Sequence, residues 1–295
     1  MVTVEGPSEV KVMVILLGLA AAALYGGGDF IGGMATRRVH VLTVLMLAET
    51  AGAIVALAVA ALTAPGAATL TGLAWGFSAG VVGGLGLIIF YIGLATGPMS
   101  VVAPVSGLLS TVLPVAVALA WGERPGAGIY AGALLCLVAI VLASSAGDTG
   151  TTRGPGRPGR AIAYGMASGT AFGLFFLLIR NAGQSGAVWP VAAGRIGELV
   201  AVLATALVLR RGLQTRGADG RLLLAAAFAG VIDVVANICY VAATRTGMFG
   251  LAVVMASLYP GVTVLLARVV LGERLRWIQR AGLAIAALGI LLIAI

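Results

Sequence analysis

Two stretches of this chain share one frame. Residues 97–124 read GPMSVVAPVSGLLSTVLPVAVALAWGER, and residues 247–274 read GMFGLAVVMASLYPGVTVLLARVVLGER. Each is apolar for long enough to cross a bilayer, contains proline, and closes on Gly-Glu-Arg. The second copy lies 150 positions after the first, from Glu123 to Glu273. The same offset carries Gly80 onto Gly230, Val81 onto Val231, Thr96 onto Thr246, Ala131 onto Ala281 and Gly132 onto Gly282. A register kept across three apolar segments means that one unit is present twice.

Only 9% of the 295 residues are charged and 61% are hydrophobic. A soluble domain carries about a quarter charged residues, so this composition belongs to an integral membrane protein. About 20 apolar residues cross the hydrocarbon as a helix. That rule predicts ten spans, near 12–36, 40–63, 71–95, 99–121, 127–146, 161–180, 189–209, 221–244, 248–271 and 276–295. The runs do not alternate as barrel strands do, so the expected class is an all-α integral membrane fold. Residues 147–160, GDTGTTRGPGRPGR, have nothing to pack and read as a linker between a first repeat, 1–146, and a second, 161–295.

Span 6 matches span 1 at an offset of 147, pairing Gly18 with Gly165 and Tyr25 with Phe172; span 7 matches span 2 at 149, pairing Glu49 with Glu198. Five spans is an odd number, so the second copy enters the membrane upside down. Two inverted five-helix repeats are the build of many secondary transporters, with the solute site near the midplane. Loops 1, 5, 7 and 9 hold twelve arginines (Arg37, Arg38, Arg153, Arg157, Arg160, Arg210, Arg211, Arg216, Arg221, Arg274, Arg276 and Arg280), against Lys11, Arg124, Arg180 and Arg245 on the opposite side. By the positive-inside rule both termini face away from the cytoplasm. The net charge of +8 is thus spread over membrane-facing anchors and points to lipid rather than nucleic acid. The N-terminus lacks a basic region before a short apolar run, so the first span is expected to be retained. Cys136 and Cys239 read as small apolar residues within spans, and lone His40 has no companion ligand, so no metal site or cofactor is expected.

A charge near the bilayer centre costs about 3 kcal/mol or more, so it faces a cavity or a partner. Asp29 sits deep in span 1, with Tyr25 one turn before it on the same face. Eight residues separate it from Arg37, roughly 12 Å of helix, which places it below the headgroups. Glu198 has Arg195 one turn earlier, which favours an internal ion pair. Glu49 has Met46 there, so its partner must come from another helix, Arg195 or Arg268. Asp233, Asn237 and Tyr240 form a polar stripe on span 8, whereas the first-copy counterparts of Asp233 and Asn237 are Gly83 and Leu87. This asymmetry suggests a ligand rather than the shared fold. Arg268 is close enough to the membrane edge to snorkel. Glu123 and Glu273 fit the positive ends of the helices that follow them.

With these residues in view, the chain resembles the drug/metabolite transporter superfamily, and specifically its EamA-type members. Tyr-Pro-Gly-Val through Leu-Gly-Glu-Arg-Leu, at 259–275, is the closest match, and the resemblance spans nearly the whole chain. Asp-Phe-Ile-Gly followed by Arg37 also resembles the first helix of the small multidrug-resistance proteins. Their Glu, replaced here by Asp29, binds proton or cationic drug competitively, which implies that Asp29 is the coupling carboxylate. The superfamily resemblance implies cytoplasmic termini, opposite to the arginine count.

The expected function is secondary transport, more often outward, of a small amphipathic organic solute such as a metabolite, an amino acid or a cationic drug. It proceeds by alternating access of the two halves across a bacterial inner membrane, with a proton or cation coupled at Asp29. The expected solute contacts are Tyr25, Asp29, Glu49, Asp233, Asn237 and Tyr240, and Arg195, Glu198, Arg268, Glu123 and Glu273 are expected as structural charges. A monomer suffices, and a homodimer is compatible. The alternatives are an uncoupled facilitator or exchanger, and a membrane enzyme acting on lipid-linked substrates. The chain has no phosphate-binding GxxxxGK[ST] loop, so ATP on this chain does not drive transport.

Overall fold

The computed structural model describes residues 7–36, 38–64, 66, 68–96, 99–122, 126–144, 158–183, 187–212, 219–246, 248–271 and 277–294. Among these, the regular elements are all helices: α1 (Pro7–Thr36), α2 (Val41–Thr63), α3 (Leu70–Thr96), α4 (Met99–Ala120), α5 (Ala127–Ser144), α6 (Pro158–Gly183), α7 (Val188–Val208), α8 (Gly220–Thr244), α9 (Phe249–Ala256), α10 (Tyr259–Leu271) and α11 (Trp277–Ala294). Six of them (α1, α2, α3, α6, α7 and α8) are long and apolar enough to cross a membrane. Four shorter apolar stretches accompany them, Val105–Ala120, Tyr130–Ala139, Phe249–Thr263 and Arg280–Gly289. Residues 123–125, 145–157 and 272–276, with Glu123, Glu273 and most of the linker, lie outside the described residues, as do Arg37 and the side chain of Arg268.

Polarity is distributed as in a bilayer solvent rather than in water. Leu62, Leu207 and Val269 are more than 70% exposed, while Glu49, Arg195, Glu198 and Asn237 are buried. Apolar surface costs nothing against lipid tails, so polar groups gather inside, where they satisfy one another.

The stretch expected as a single ninth span is two helices, interrupted at Ser257 and Leu258. Proline has no N–H to bond the carbonyl four residues earlier. Pro260 therefore frees the carbonyl of Ala256, where α9 stops. The corresponding first-copy position is Ser110, and α4 runs through it.

Packing joins the halves rather than separating them. α1 rests on α8, α9 and α10 and hardly on α2; its counterpart α6 rests on α3 and α4. α2 packs on α7 and α8, α7 on α2 and α3, and α5 on α11. Exchanging the first-half helices for their second-half counterparts maps these principal pairs onto one another. Glycines at equivalent positions allow the closest crossings. A Cβ on Gly80 would collide with the backbone of Gly194, and one on Gly230 with the backbone of Ala48.

α2 and α7, which are counterparts, lie side by side and antiparallel. At one end Arg211 Nη1 is 3.1 Å from His40 Nε2, and at the other Trp189 Nε1 donates to the Ala64 carbonyl at 2.7 Å. The second end also carries a stacked cation. The Arg180 guanidinium lies 4.4 Å from the ring centre of Trp121 and 4.7 Å from that of Phe249, which draws together the ends of α4 and α6 and the start of α9.

Candidate functional site

A cavity of about 600 Å³, open mouth included, lies between α1, α3, α6, α7, α8 and α10. α1 contributes Tyr25 and Asp29, one turn apart on the inward face, and α8 contributes Asp233 and Asn237 in the same way. From α3 come Gly83, Leu87 and Phe90, from α6 Phe172, Phe175 and Phe176, from α7 Glu198 and from α10 Tyr259. α4 supplies none of these residues, whereas α7 supplies one.

One wall is a connected polar network. Tyr25 donates its hydroxyl proton to Asn237 Oδ1 at 2.9 Å, and Asn237 Nδ2 donates to the carboxylate of Asp233 at 3.0 Å and to its backbone carbonyl at 2.9 Å. Asp233 in turn accepts from Arg195 Nη2. Arg195 Nη1 lies 2.9 Å from Glu49 Oε2 and 2.8 Å from Glu198 Oε2. One guanidinium therefore draws together carboxylates from α2, α7 and α8. Gly83 makes room for this: a Cβ there would stand 3.2 Å from Glu198 Oε1 and closer still to Phe175. A buried ion cluster is costly to assemble and costlier to break, because an unpaired charge then remains in low dielectric.

The facing wall is aromatic. Phe90 and Phe172 meet edge to face at 5.9 Å between ring centres, Phe175 and Phe176 at 5.5 Å, and Tyr25 touches both Phe176 and Tyr259 at 6.4 and 6.3 Å. Asp29 stands between the two walls. Among the described residues it has no hydrogen-bond or ion-pair partner, and Arg38 is exposed at the end of the helix. None of the described residues lining the cavity is basic.

Two residues expected to contact solute lie elsewhere. Tyr240 is fully buried behind Phe176, with ring centres 4.7 Å apart, and donates to the Phe176 carbonyl at 3.4 Å. Its place is in the core under the aromatic wall. Glu49 is held in the ion cluster and does not line the cavity, whereas Glu198, expected only as a structural charge, does.

The model of the EamA-like transporter family matches residues 12–145 and again residues 159–295. This chain belongs to the EamA-like transporter family. It is therefore a multi-pass membrane transporter of the drug/metabolite superfamily. A crystal structure 20% identical to it in sequence has the same fold, with a TM-score of 0.72 over 95% of this chain and 97% of the other. No curated protein matches.

Two features of this EamA-like transporter were missed in the sequence: the phenylalanine wall and the Arg180 stack. Phe172, Phe175 and Phe176 sit in an apolar run where aromatics are unremarked, and only the fold shows that they face a cavity. Arg180 reads as one more loop arginine until Trp121 and Phe249 are brought to it.

Proposed function

We propose that the protein is a secondary transporter that exports a small amphipathic organic solute bearing a positive charge. The cavity carries this reading: six aromatic rings face three carboxylates, one of them the unpaired Asp29, with no basic side chain among the described lining residues. Ring faces and a carboxylate are the groups that hold an organic cation out of water. In this reading Asp29 meets the cationic head, and proton and solute compete for it. The apolar part of the solute lies on Phe90, Phe172 and Phe175.

The antiparallel α2 and α7 and the exchangeable helix pairs support ten spans in two inverted repeats. In such a build, alternating access moves mixed groups of helices. α1 with α8, α9 and α10 forms one group and α6 with α3 and α4 the other, since these pack together. The Arg180 stack ties α4 and α6 to α9, across the two groups, at one end. The surplus of arginine at the other end supports a cytoplasmic location for loops 1, 5, 7 and 9 in a bacterial inner membrane.

The test is counterflow in proteoliposomes with a panel of organic cations, amino acids and neutral aromatics, run at two pH values. Wild type should exchange cations preferentially, and Asp29→Asn should lose that preference together with the part of the pH dependence that belongs to Asp29. Preference for anions would end this reading.

A further inference from the structure

We propose that Glu49 and Glu198 form a shared proton site, separate from Asp29, linked to the cavity through Arg195, so that an entering monocation is exchanged for one proton. This rests on reading the cavity as the solute site.

The two Oε2 atoms lie 2.9 Å and 2.8 Å from one nitrogen, hence no more than 5.7 Å apart. Nη1 donates a hydrogen bond to Glu49, while Glu198 Oε2 is fully buried and has no hydrogen bond of its own. A buried acceptor left so costs free energy unless a proton or ligand satisfies it. A proton held between the two carboxyls does this, one oxygen donating to the other.

Charge counting leads to the same place. Arg195 balances one carboxylate, but three surround it, and Asp29 stands at the same cavity. Uncompensated like charges in a dry interior are the most costly arrangement available to such groups. Among the described residues, no other cation faces the cluster. α1 presents Tyr25 and Asp29, α8 presents Asp233 and Asn237, α3 presents Gly83 and, one level away against Gly32, Tyr91, and α6 presents only Phe175 and Phe176.

Arg195 supplies the linkage because its two terminal nitrogens face different ways. Nη1 serves the glutamates, and Nη2 serves Asp233, which is 31% exposed and lines the cavity. The solute ammonium held at Asp29 also draws on the Asp233 carboxylate of the same cavity, competes there with Nη2 and turns the guanidinium charge onto the glutamate pair. The shared carboxyl O–H then breaks heterolytically, its electron pair stays on the carboxylate, and the proton passes to water. The charge of the buried site is unchanged, because a monocation has replaced a proton.

The experiment is infrared spectroscopy of the full-length protein in lipid at neutral pH. Wild type is labelled with ¹³C on glutamate or on aspartate carboxyls, and 2-phenylethylammonium serves as the probe cation. A protonated-carboxyl band should shift on glutamate labelling and be absent from Glu49→Gln and from Glu198→Gln alike. The probe should abolish it and release about one proton per cation bound, read with an indicator dye. A band that moves on aspartate labelling alone, or that survives in either variant, overturns the shared site; the labelled wild type decides even if a variant does not fold. A glutamate band unmoved by a cation that the protein does carry in counterflow overturns the exchange. Lack of counterflow for every cation, with the glutamate band in place, overturns the carrier reading instead.

Discussion

The two walls of the cavity come from equivalent positions of the two repeats, yet they differ in chemistry. α1 and α8 present Tyr25, Asp29, Asp233 and Asn237; the corresponding positions on α6 and α3 are Phe172, Phe176, Gly83 and Leu87. All eight residues line the same space. The crossings that support them are alike, with Gly80 against Gly194 and Gly230 against Ala48. Backbone packing has kept the symmetry of the duplication while the lining has lost it. An amphipathic site arises in this way from a repeated scaffold without altering the fold.

The largest disturbance expected is Arg195→Met, which gives α7 the residue α2 carries at the equivalent position, Met46. Restoring this symmetry strands three carboxylates, and removing one partner of a buried ion cluster costs about 3–5 kcal/mol. Thermal unfolding in detergent should show the loss, and adding Glu49→Gln and Glu198→Gln should recover part of it. If Arg195→Met unfolds like wild type, the cluster is not what holds α2, α7 and α8 together.

Asp29→Asn should come next. A hydrogen bond to a charged group contributes about 1.5–3 kcal/mol, so cation affinity should fall roughly 10- to 100-fold. The sign of the pH effect follows from competition. In the proposed reading the Asp29 carboxylate binds the cation, so wild-type affinity rises with pH until protons no longer compete there; the amide removes this contribution and leaves only the rise set by the glutamate pair. Equilibrium binding at several pH values checks both.

Gly80→Ala and Gly230→Ala probe the part of the comparison that is symmetric. Each adds a methyl where backbone already stands, and overpacking of this kind costs about 1–3 kcal/mol. The two should destabilise to a similar extent in the same unfolding assay, and a difference larger than that range would show the crossings to be unequal. The smallest effect is expected for Phe172→Leu on the aromatic wall. Aromatic cations should bind about 0.5–1.5 kcal/mol more weakly, while aliphatic cations of similar size should be little changed. Equal losses for both would make the wall a filler rather than a recognition surface.

Individual residues show how much of this was legible beforehand. Asp29 and the Asp233–Asn237 pair could be singled out because charge in a long apolar run has no local explanation, and a helix turn sets their shared face. Arg195 was legible as a neighbour of Glu198 at three residues, and as a candidate for Glu49. That it also takes Asp233 was not, because the partner lies on another helix and sequence spacing carries no information across helices. Tyr240 shows the opposite failure. Its stripe with Asp233 and Asn237 is correct as helical periodicity, but a further turn carries it behind Phe176 into the core. The ninth span reads as one helix although it contains Pro260, and only the structure shows the break, at the carbonyl of Ala256 that this proline frees.

The sequence alone determined that this chain is duplicated, helical and made for a bilayer, since repetition, long apolar runs and scarce charge act locally and leave no other folded state. Only the tertiary structure decided which charges are paired, which rings face the cavity and that helices of the two halves interleave. Those outcomes depend on contacts between different helices, 38 positions apart for Arg195 and Asp233 and 146 for Arg195 and Glu49, set by close helix crossings at glycine and by the need of buried charge for partners.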